Sequence, residues 1–397
     1  MESLFETHLE KLKRLKSAYV REFIHSIEWN DRLIGIKGAR GVGKTTLLLQ
    51  KIKSLNLPPE KALYVSLDDL WFSKNNLIDL IKNFVQRGGE YLFIDEVHKY
   101  ATWSQEIKNA YDIWDELNIV FTGSSMLHIH DSRADLSRRA MIYSMQGLSF
   151  REYLNISLGL NLPILSLEDI LNNHTEIAND LTNSIKPLAH FNTYLKNGYY
   201  PFSFEQKANY NERLKQTVLY MIEVDLVQLR NISAQHINQL KKLLYILAQS
   251  VPFKPNMVKL AEQVGVARNT LFSYLSYLEE AELLFLLHSE GTGNKLMQKP
   301  EKIFLHNPNL LHALSSVKTE IGTLKEIFFL NQVSKLHKVA YSEKGDFLVN
   351  DSSIFEIGGR NKDFSQIADL PNSFLALDDI EFSVGNRIPL YLFGFLY

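Results

Sequence analysis

Residues 38–45 read Gly38-Ala39-Arg40-Gly41-Val42-Gly43-Lys44-Thr45, an order of residue types suited to gripping a polyphosphate. Glycines let main-chain N–H groups turn inward to face phosphate oxygens. A helix that follows the loop adds the partial positive charge of its N-terminus. This is the spacing of a Walker A loop: Lys44 reaches the β- and γ-phosphates, the Thr45 hydroxyl binds Mg²⁺, and Thr46 follows in the nucleotide-holding set. A strand ending in acid is the second requirement. Tyr91-Leu92-Phe93-Ile94-Asp95-Glu96 is an apolar run closed by two carboxylates, about 50 residues further on. Asp95 is expected to hold the Mg²⁺ shell, and Glu96 to orient or deprotonate the attacking water.

These groups need elements to carry them. Arg32–Ile36 reads as a short buried strand and Thr46–Ile52 as a helix, so the glycine loop sits in a strand–loop–helix unit. Leu117–Thr122 is a further β-rich run ending in Gly123-Ser124-Ser125. A hydroxyl there, Ser124 before Ser125, can bond the attacking water or the γ-phosphate, and the rival reading is a turn or helix cap. Asp131 to Arg139 supplies three arginines. Arg139 first, then Arg133 and Arg138, are candidates for an arginine finger acting across a subunit interface, which requires a homo-oligomer; a salt-bridged surface arginine is the rival reading.

The chain resembles a known family. The segments GARGVGKTTLL (38–48), YLFIDEVHKYATW (91–103), IVFTGSSM (119–126), LSRRAMIYSMQGLSFREYL (136–154), YLKNGYYP (194–201), KPEKIFLHNPNLLHAL (299–314) and GTLKEIFFLNQV (322–333) are similar to prokaryotic AAA+-like ATPases that pair an N-terminal ATPase with a C-terminal domain of the DUF4143 type. The resemblance implies ATP as the nucleotide, hydrolysis to ADP and phosphate, and Ser124 at the sensor 1 position. It implies no substrate. The family usually has Gly-Arg where this chain has Arg138-Arg139, which leaves Arg139 as the matching arginine.

At 397 residues the chain exceeds one ordinary domain. A net charge of −2 gives no global basic signal, and zero cysteines exclude disulfides and thiolate metal sites, which suits a reducing, cytoplasmic setting. Met1–Glu6 is acidic where a signal peptide needs a basic region, and the apolar stretch Ile388–Tyr397 is too short to span a bilayer, reading instead as a final core strand. No membrane association is expected.

The expected fold class is α/β: a P-loop NTPase parallel sheet with helices on both faces, then a helical and winged-helix region, then a small α+β domain like restriction nucleases. The expected divisions are 1–155 (ATPase), 156–237 (helical connector), 238–298 (winged helix) and 299–397 (nuclease-like, inactive). Residues 1–30 read as helix from the spacing of Phe5, Leu9, Leu12 and Leu15, and the polar stretch 172–186 as a connector. Leu240–Ala248, Met257–Val264 (capped by Asn256, ended by Gly265) and Arg268–Ala281, followed by Leu283–Leu287, read as three helices and a wing. Between 251 and 300 basic and acidic residues are equal in number, which disfavours DNA and favours packing or an unidentified protein partner.

In the C-terminal third, Glu326, Asp346 and Glu356 are placed like metal-holding acids of a nuclease, with strands 346–349 and 354–357 joined at Asn350-Asp351. The lysine expected two residues past the glutamate is Gly358, and the nearest cations are Arg360 and Lys362. The acids therefore read as surface or capping groups of a relic. Two functional readings stand beside each other: an ATPase whose hydrolysis drives conformational change, and a slow-hydrolysing nucleotide-gated switch that recruits a protein or DNA partner. An ATP-dependent nuclease is the third and least favoured.

Overall fold

Strands of a parallel sheet are buried on both faces and so read as continuous apolar runs. The computed structural model shows such runs where the sequence places them, and it describes residues 1–15, 19–126, 136–205, 207–230, 232–290, 299–315 and 321–397. In chain order the elements are α1 (Glu2–Arg14), β1 (Leu33–Gly38), α2 (Lys44–Leu55), β2 (Ala62–Ser66), α3 (Leu77–Gln86), β3 (Tyr91–Asp95), α4 (Trp103–Ile113), β4 (Asn118–Ser124), β5 (Met141–Ser144), α5 (Phe150–Leu158), α6 (Leu167–Ser184), α7 (Pro187–Asn197), α8 (Tyr210–Tyr220) and α9 (Leu226–Arg230). They continue with α10 (Ala234–Ala248), α11 (Met257–Val264), α12 (Arg268–Glu280), β6 (Leu284–Leu287), β7 (Lys302–Leu305), α13 (Pro308–Leu314), α14 (Ile321–Val333), β8 (Val339–Tyr341), β9 (Phe347–Val349), β10 (Ser353–Gly358), β11 (Ser373–Leu377) and β12 (Arg387–Pro389).

The chain packs as two compact units. The first comprises 1–146 with 224–231, and the second 147–223 with 232–397. The segments expected to be connector, winged helix and nuclease-like domain fall in the second unit, apart from residues 224–231.

The first unit is built on a five-stranded sheet of order β2-β3-β4-β1-β5, parallel throughout. This is a P-loop NTPase fold. Strand β4 lies between the glycine-loop strand and the acid strand, with Gly38 opposite Ser124 and Ile94 opposite Phe121. The carboxyl ends of β1, β3 and β4 therefore meet at one edge, where ligands bind in open α/β sheets. Leu33, Ile94, Phe121, Phe84, Trp103 and Ile107 share one core.

Helix α1 stops at Arg14, short of the helix expected over 1–30, and Leu15 is extended (φ −65°, ψ 101°). The chain beyond is used for tertiary contacts that a helix would forbid. The Tyr19 carbonyl accepts from Gln50 Nε2 at 2.8 Å, and Arg21 Nη1 donates to the carbonyls of Val42 (3.1 Å) and Gln146 (2.8 Å). Arg21 thus braces the glycine loop from outside. Helix α1 covers the edge strand β2: the Tyr64 N–H donates to His8 Nδ1 at 3.1 Å, and burial lowers the His8 pKa to about 4, keeping that nitrogen an acceptor.

In the second unit the stretch 172–186 is largely helix α6 rather than a connector. A capping box of Ser166 and Asp169 starts it, and Leu167, Ile170, His174, Ala178 and Leu181 form its buried face. The segments YLKNGYYP and NPNLL meet at Asn309, which is fully buried. Its Oδ1 accepts from the Tyr199 N–H (2.8 Å) and the Tyr210 hydroxyl (2.5 Å), and its Nδ2 donates to the carbonyls of Tyr194 (3.0 Å) and Leu195 (2.9 Å). These motifs are structural. Asn309→Ala strands buried donors and acceptors and is expected to lower the stability of this unit by about 3 kcal/mol, measured by urea denaturation followed by circular dichroism.

Helices α10 to α12 and strand β6 stand where the winged-helix pattern put them, with Asn256 Oδ1 accepting from the Lys259 N–H at 3.1 Å and Gly265 closing α11 at φ 85°. Strand β6 pairs antiparallel with β7. The second sheet has the order β12-β11-β10-β9-β8. Strands β9 and β10 pair antiparallel through a turn at Asn350 (φ 51°) and Asp351 (φ 58°). The final apolar stretch is strand only at Arg387–Pro389; Leu390–Phe395 form a buried 3₁₀ turn. Among the described residues no helix is long and apolar enough to cross a membrane.

Candidate functional site

The glycine loop leaves β1 at Gly38, where any Cβ would fall 2.2 Å from the Met145 carbonyl oxygen. Gly41 (φ 89°) and Gly43 (φ 102°) take backbone angles that L side chains rarely adopt, and α2 begins at Lys44. Ala39 and Val42 are buried beneath the loop. Lys44 is buried too, its Nζ donating to the carbonyls of Gly38 (2.8 Å) and Ala39 (3.0 Å). The ammonium is thereby held inside the curve of the loop.

Asp95 ends β3 at the centre of a hydroxyl cluster. Its Oδ2 accepts from Thr45 Oγ1 at 2.6 Å and from the Tyr64 hydroxyl at 2.8 Å. Its Oδ1 accepts from Thr122 Oγ1 and, at 3.2 Å, from the Glu96 N–H. Tyr64 in turn accepts from Lys11 Nζ at 2.9 Å, and burial, with the Asp95 charge adding, raises the Tyr64 pKa, so the phenol stays a donor to Asp95. The two residues expected to hold Mg²⁺, Thr45 and Asp95, are thus in direct contact. Both offer hard oxygen donors, the chemistry that ion requires.

Glu96 follows with its main chain in the left-handed region, φ 54°. Its Oε2 lies 3.4 Å from His98 Nε2 and 3.9 Å from Arg40 Nη1. Both side chains also face Asp225, at 3.6 Å each, and Lys99 Nζ reaches the same carboxylate at 2.6 Å. Burial alone would raise the Asp225 pKa, but hydrogen bonds and charge from His98 and Lys99 hold it below the ordinary value.

The hydroxyl of β4 that meets Asp95 is Thr122, not Ser124. The two lie on one face of the strand, two residues apart. Ser124 Oγ accepts instead from the Met126 N–H at 3.4 Å, capping the turn that follows. Arg139 forks onto Asp112 of α4 in the same unit, Nε to Oδ1 at 2.9 Å and Nη2 to Oδ2 at 3.2 Å. Arg133 lies outside the described residues. Sequence reading missed Thr122, Tyr64, Arg21 and Asp225. Only Thr122 carried a signal, as the last hydroxyl within the β-run.

The three C-terminal acids do converge, with Glu356 buried and Glu326 and Asp346 half-buried rather than on the open surface. Lys302 Nζ lies 3.2 Å from Asp346 Oδ1 and 3.6 Å from Glu326 Oε2, while Lys362 pairs with Glu356. Asp346 Oδ2 also accepts from the Ile357 N–H at 2.9 Å. Each acid of this cluster already faces an ammonium group, and among the described residues no group of three or more His, Cys, Asp or Glu side chains is arranged to hold a metal ion. Burial, with the Asp346 charge adding and Lys302 opposing, pushes the Glu326 pKa up to about 7 from an ordinary 4.5.

A raised acid favours the folded state fully below about pH 4.5, and this stability is lost as pH rises through about 7. From pH 5 to pH 8 the wild type should therefore lose about 2 kcal/mol more stability than Glu326→Gln, compared by urea denaturation at the two pH values.

The family-profile match falls on the segment that carries the glycine loop and the acid strand. Residues 30–154 match the family profile described as an AAA domain. Residues 188–321 match a domain of unknown function, DUF8612, where the sequence motifs suggest DUF4143. The uncharacterized protein MJ1637 of Methanocaldococcus jannaschii is 28% identical over 394 residues, spanning 89% of this chain and 82% of that protein. MJ1544 of the same organism is 22% identical over 354 residues, spanning 84% and 73%. Among solved structures, AMPPCP-bound DnaA from Aquifex aeolicus is 16% identical with a TM-score of 0.24, covering 69% of this chain and 86% of that one. The Aeropyrum pernix ORC1 protein in complex with DNA is 13% identical with a TM-score of 0.30, covering 78% and 91%. Strand order, loop geometry and the profile match together make residues 30–154 a P-loop NTPase domain similar to the AAA domains.

Proposed function

We propose that this protein binds ATP with Mg²⁺ at the loop Gly38–Thr45 and hydrolyses it. The observation that carries this reading is the 2.6 Å contact between Thr45 Oγ1 and Asp95 Oδ2, which joins the end of the glycine loop to the acid strand with Glu96 next in line. Main-chain N–H groups of the loop and the start of α2 would take the phosphates, and Lys44 would neutralise their charge. Mg²⁺, held by Thr45 with Asp95 behind it, supplies further neutralisation of the phosphate oxygens. Glu96 would accept the proton of the attacking water, and Thr122 keeps Asp95 from turning toward it.

A slow-hydrolysing switch is the second reading, and one observation favours it. Glu96 Oε2 stands 3.9 Å from Arg40 Nη1 and 3.4 Å from His98 Nε2, so the carboxylate must leave these neighbours to meet an attacking water. Calorimetry with Mg-ATP and Mg-GTP, followed by steady-state phosphate release, tests both. Uptake with turnover supports the enzyme, uptake with negligible turnover supports the switch, and no uptake of either nucleotide removes both. Recruitment of a protein or DNA partner through the second unit belongs to the switch reading. The Lys302-neutralised acids are expected to give no Mg²⁺-dependent DNA cleavage.

A further inference from the structure

The AAA-domain match begins at residue 30, yet a buried arginine before it grips the glycine loop. Arg21 Nη1 donates to the Val42 carbonyl at 3.1 Å and to the Gln146 carbonyl at 2.8 Å. We propose that Arg21 is a positioning residue for phosphate binding: by holding the Val42 carbonyl it turns the Gly43 N–H inward, toward the β-phosphate of a bound nucleotide. The proposal rests on nucleotide binding at the loop and is independent of hydrolysis.

Peptide geometry carries this role. In a trans peptide the C=O and N–H point opposite ways. The Val42 carbonyl and the Gly43 N–H belong to one peptide, so fixing the first fixes the second. Gly43 has φ 102°, and glycine takes either sign of φ with similar ease, so its own torsional preference does not hold this peptide one way round. Helix α2 ties the peptide that follows, through the Gly43 carbonyl accepting from the Leu47 N–H at 3.0 Å, and that bond does not orient the peptide before it. Arg21 is itself anchored: it is 8% exposed, and its carbonyl accepts from the Ile24 N–H at 3.0 Å at the start of the 3₁₀ turn Glu22–Ser26. Its second acceptor, Gln146, follows Met145, whose N–H donates to the Lys37 carbonyl of β1 at 2.8 Å. The guanidinium thus joins the loop to the sheet. It stays protonated at any working pH, and its planar N–H groups have fixed directions. The orientation is therefore set before a phosphate arrives, which spares the ordering cost of binding.

The test uses the full-length chain with Mg-ADP as the probe, so that turnover plays no part. Arg21→Gln is expected to raise the Kd about tenfold, the change that follows if the released peptide faces inward about one-tenth of the time. Arg21→Lys should stay within about threefold of the wild type, because one nitrogen serves both carbonyls and a lysine Nζ has protons for both. Calorimetry measures each value, and Kd, unlike yield, does not depend on the folded fraction. NMR with glycine-selective isotope labelling gives a second readout. On Mg-ADP addition the Gly43 amide proton should move downfield in the wild type and clearly less in Arg21→Gln, a difference that a merely structural arginine would not produce. Wild-type affinity in Arg21→Gln, a wild-type Gly43 response in that variant, or loss of its fold by circular dichroism overturns the role of Arg21 while leaving nucleotide binding at the loop intact. A wild-type chain that takes up no Mg-ADP removes the β-phosphate contact and this role with it, and one that takes up no Mg-ATP either removes the nucleotide reading as well.

Discussion

Lys44→Ala should weaken Mg-ATP uptake about 100-fold or more, and turnover with it. The ammonium is held inside the loop by the Gly38 and Ala39 carbonyls, at 2.8 and 3.0 Å, so it is already in place when a phosphate arrives and loses little freedom on binding. Phosphate oxygens would replace these carbonyls as acceptors, and two charge-assisted hydrogen bonds of about 1.5–3 kcal/mol each, to β- and γ-phosphate oxygens, account for that loss. Calorimetric titration of the variant with Mg-ATP measures it. Folding should survive, because main-chain conformation at Gly41 and Gly43 sets the loop, and Arg21 braces it independently through the Val42 carbonyl. A variant that bound Mg-ATP as tightly as the wild type would remove the glycine loop as the nucleotide site.

Glu96→Gln should leave uptake nearly unchanged and reduce turnover about 10²- to 10³-fold. The amide has the shape of the carboxylate but cannot accept the proton of water. Asp95 is unaffected, since its bonds to Thr45, Tyr64 and Thr122 do not involve the Glu96 side chain. The pairing of lost rate with kept affinity separates Glu96 from Asp95, whose replacement would strand three hydroxyl donors and disturb the fold as well. Phosphate release under saturating Mg-ATP measures the first quantity and calorimetry the second. Equal rates for variant and wild type would assign the base to another residue.

The glycine loop, its strand and helix, and the acid pair at the end of β3 were all legible along the chain. Each is a local matter. Positive φ at Gly41 and Gly43, the helix that follows the loop and the apolar run before Asp95 depend on residues within a few positions of one another; only the helix start, at Lys44 rather than Thr46, lay two residues from the expected one. The helices α10 to α12, with the Asn256 cap and the Gly265 stop, were legible for the same reason. Helix α6 shows the limit of composition: its polar residues suggested a connector, while the i, i+3, i+4 spacing of Leu167, Ile170, His174, Ala178 and Leu181 was the better guide.

The remainder was decided by residues far apart in the chain. Thr122 rather than Ser124 faces Asp95 because β4 lies between β1 and β3 in a register that no single strand contains. Tyr64, Arg21 and Asp225 come to the site across separations of 31, 21 and 126 residues from the groups they bond. Lys302 reaches Asp346 across 44 residues, turning what the spacing presented as surface acids into a half-buried, lysine-paired cluster. The sequence by itself determined the chemistry available and the backbone that displays it, because torsional preference and side-chain type act over a turn or a strand. The tertiary structure alone decided which charges share a partner, because burial removes water as the competing ligand and leaves each ionised group to the neighbours that folding supplies.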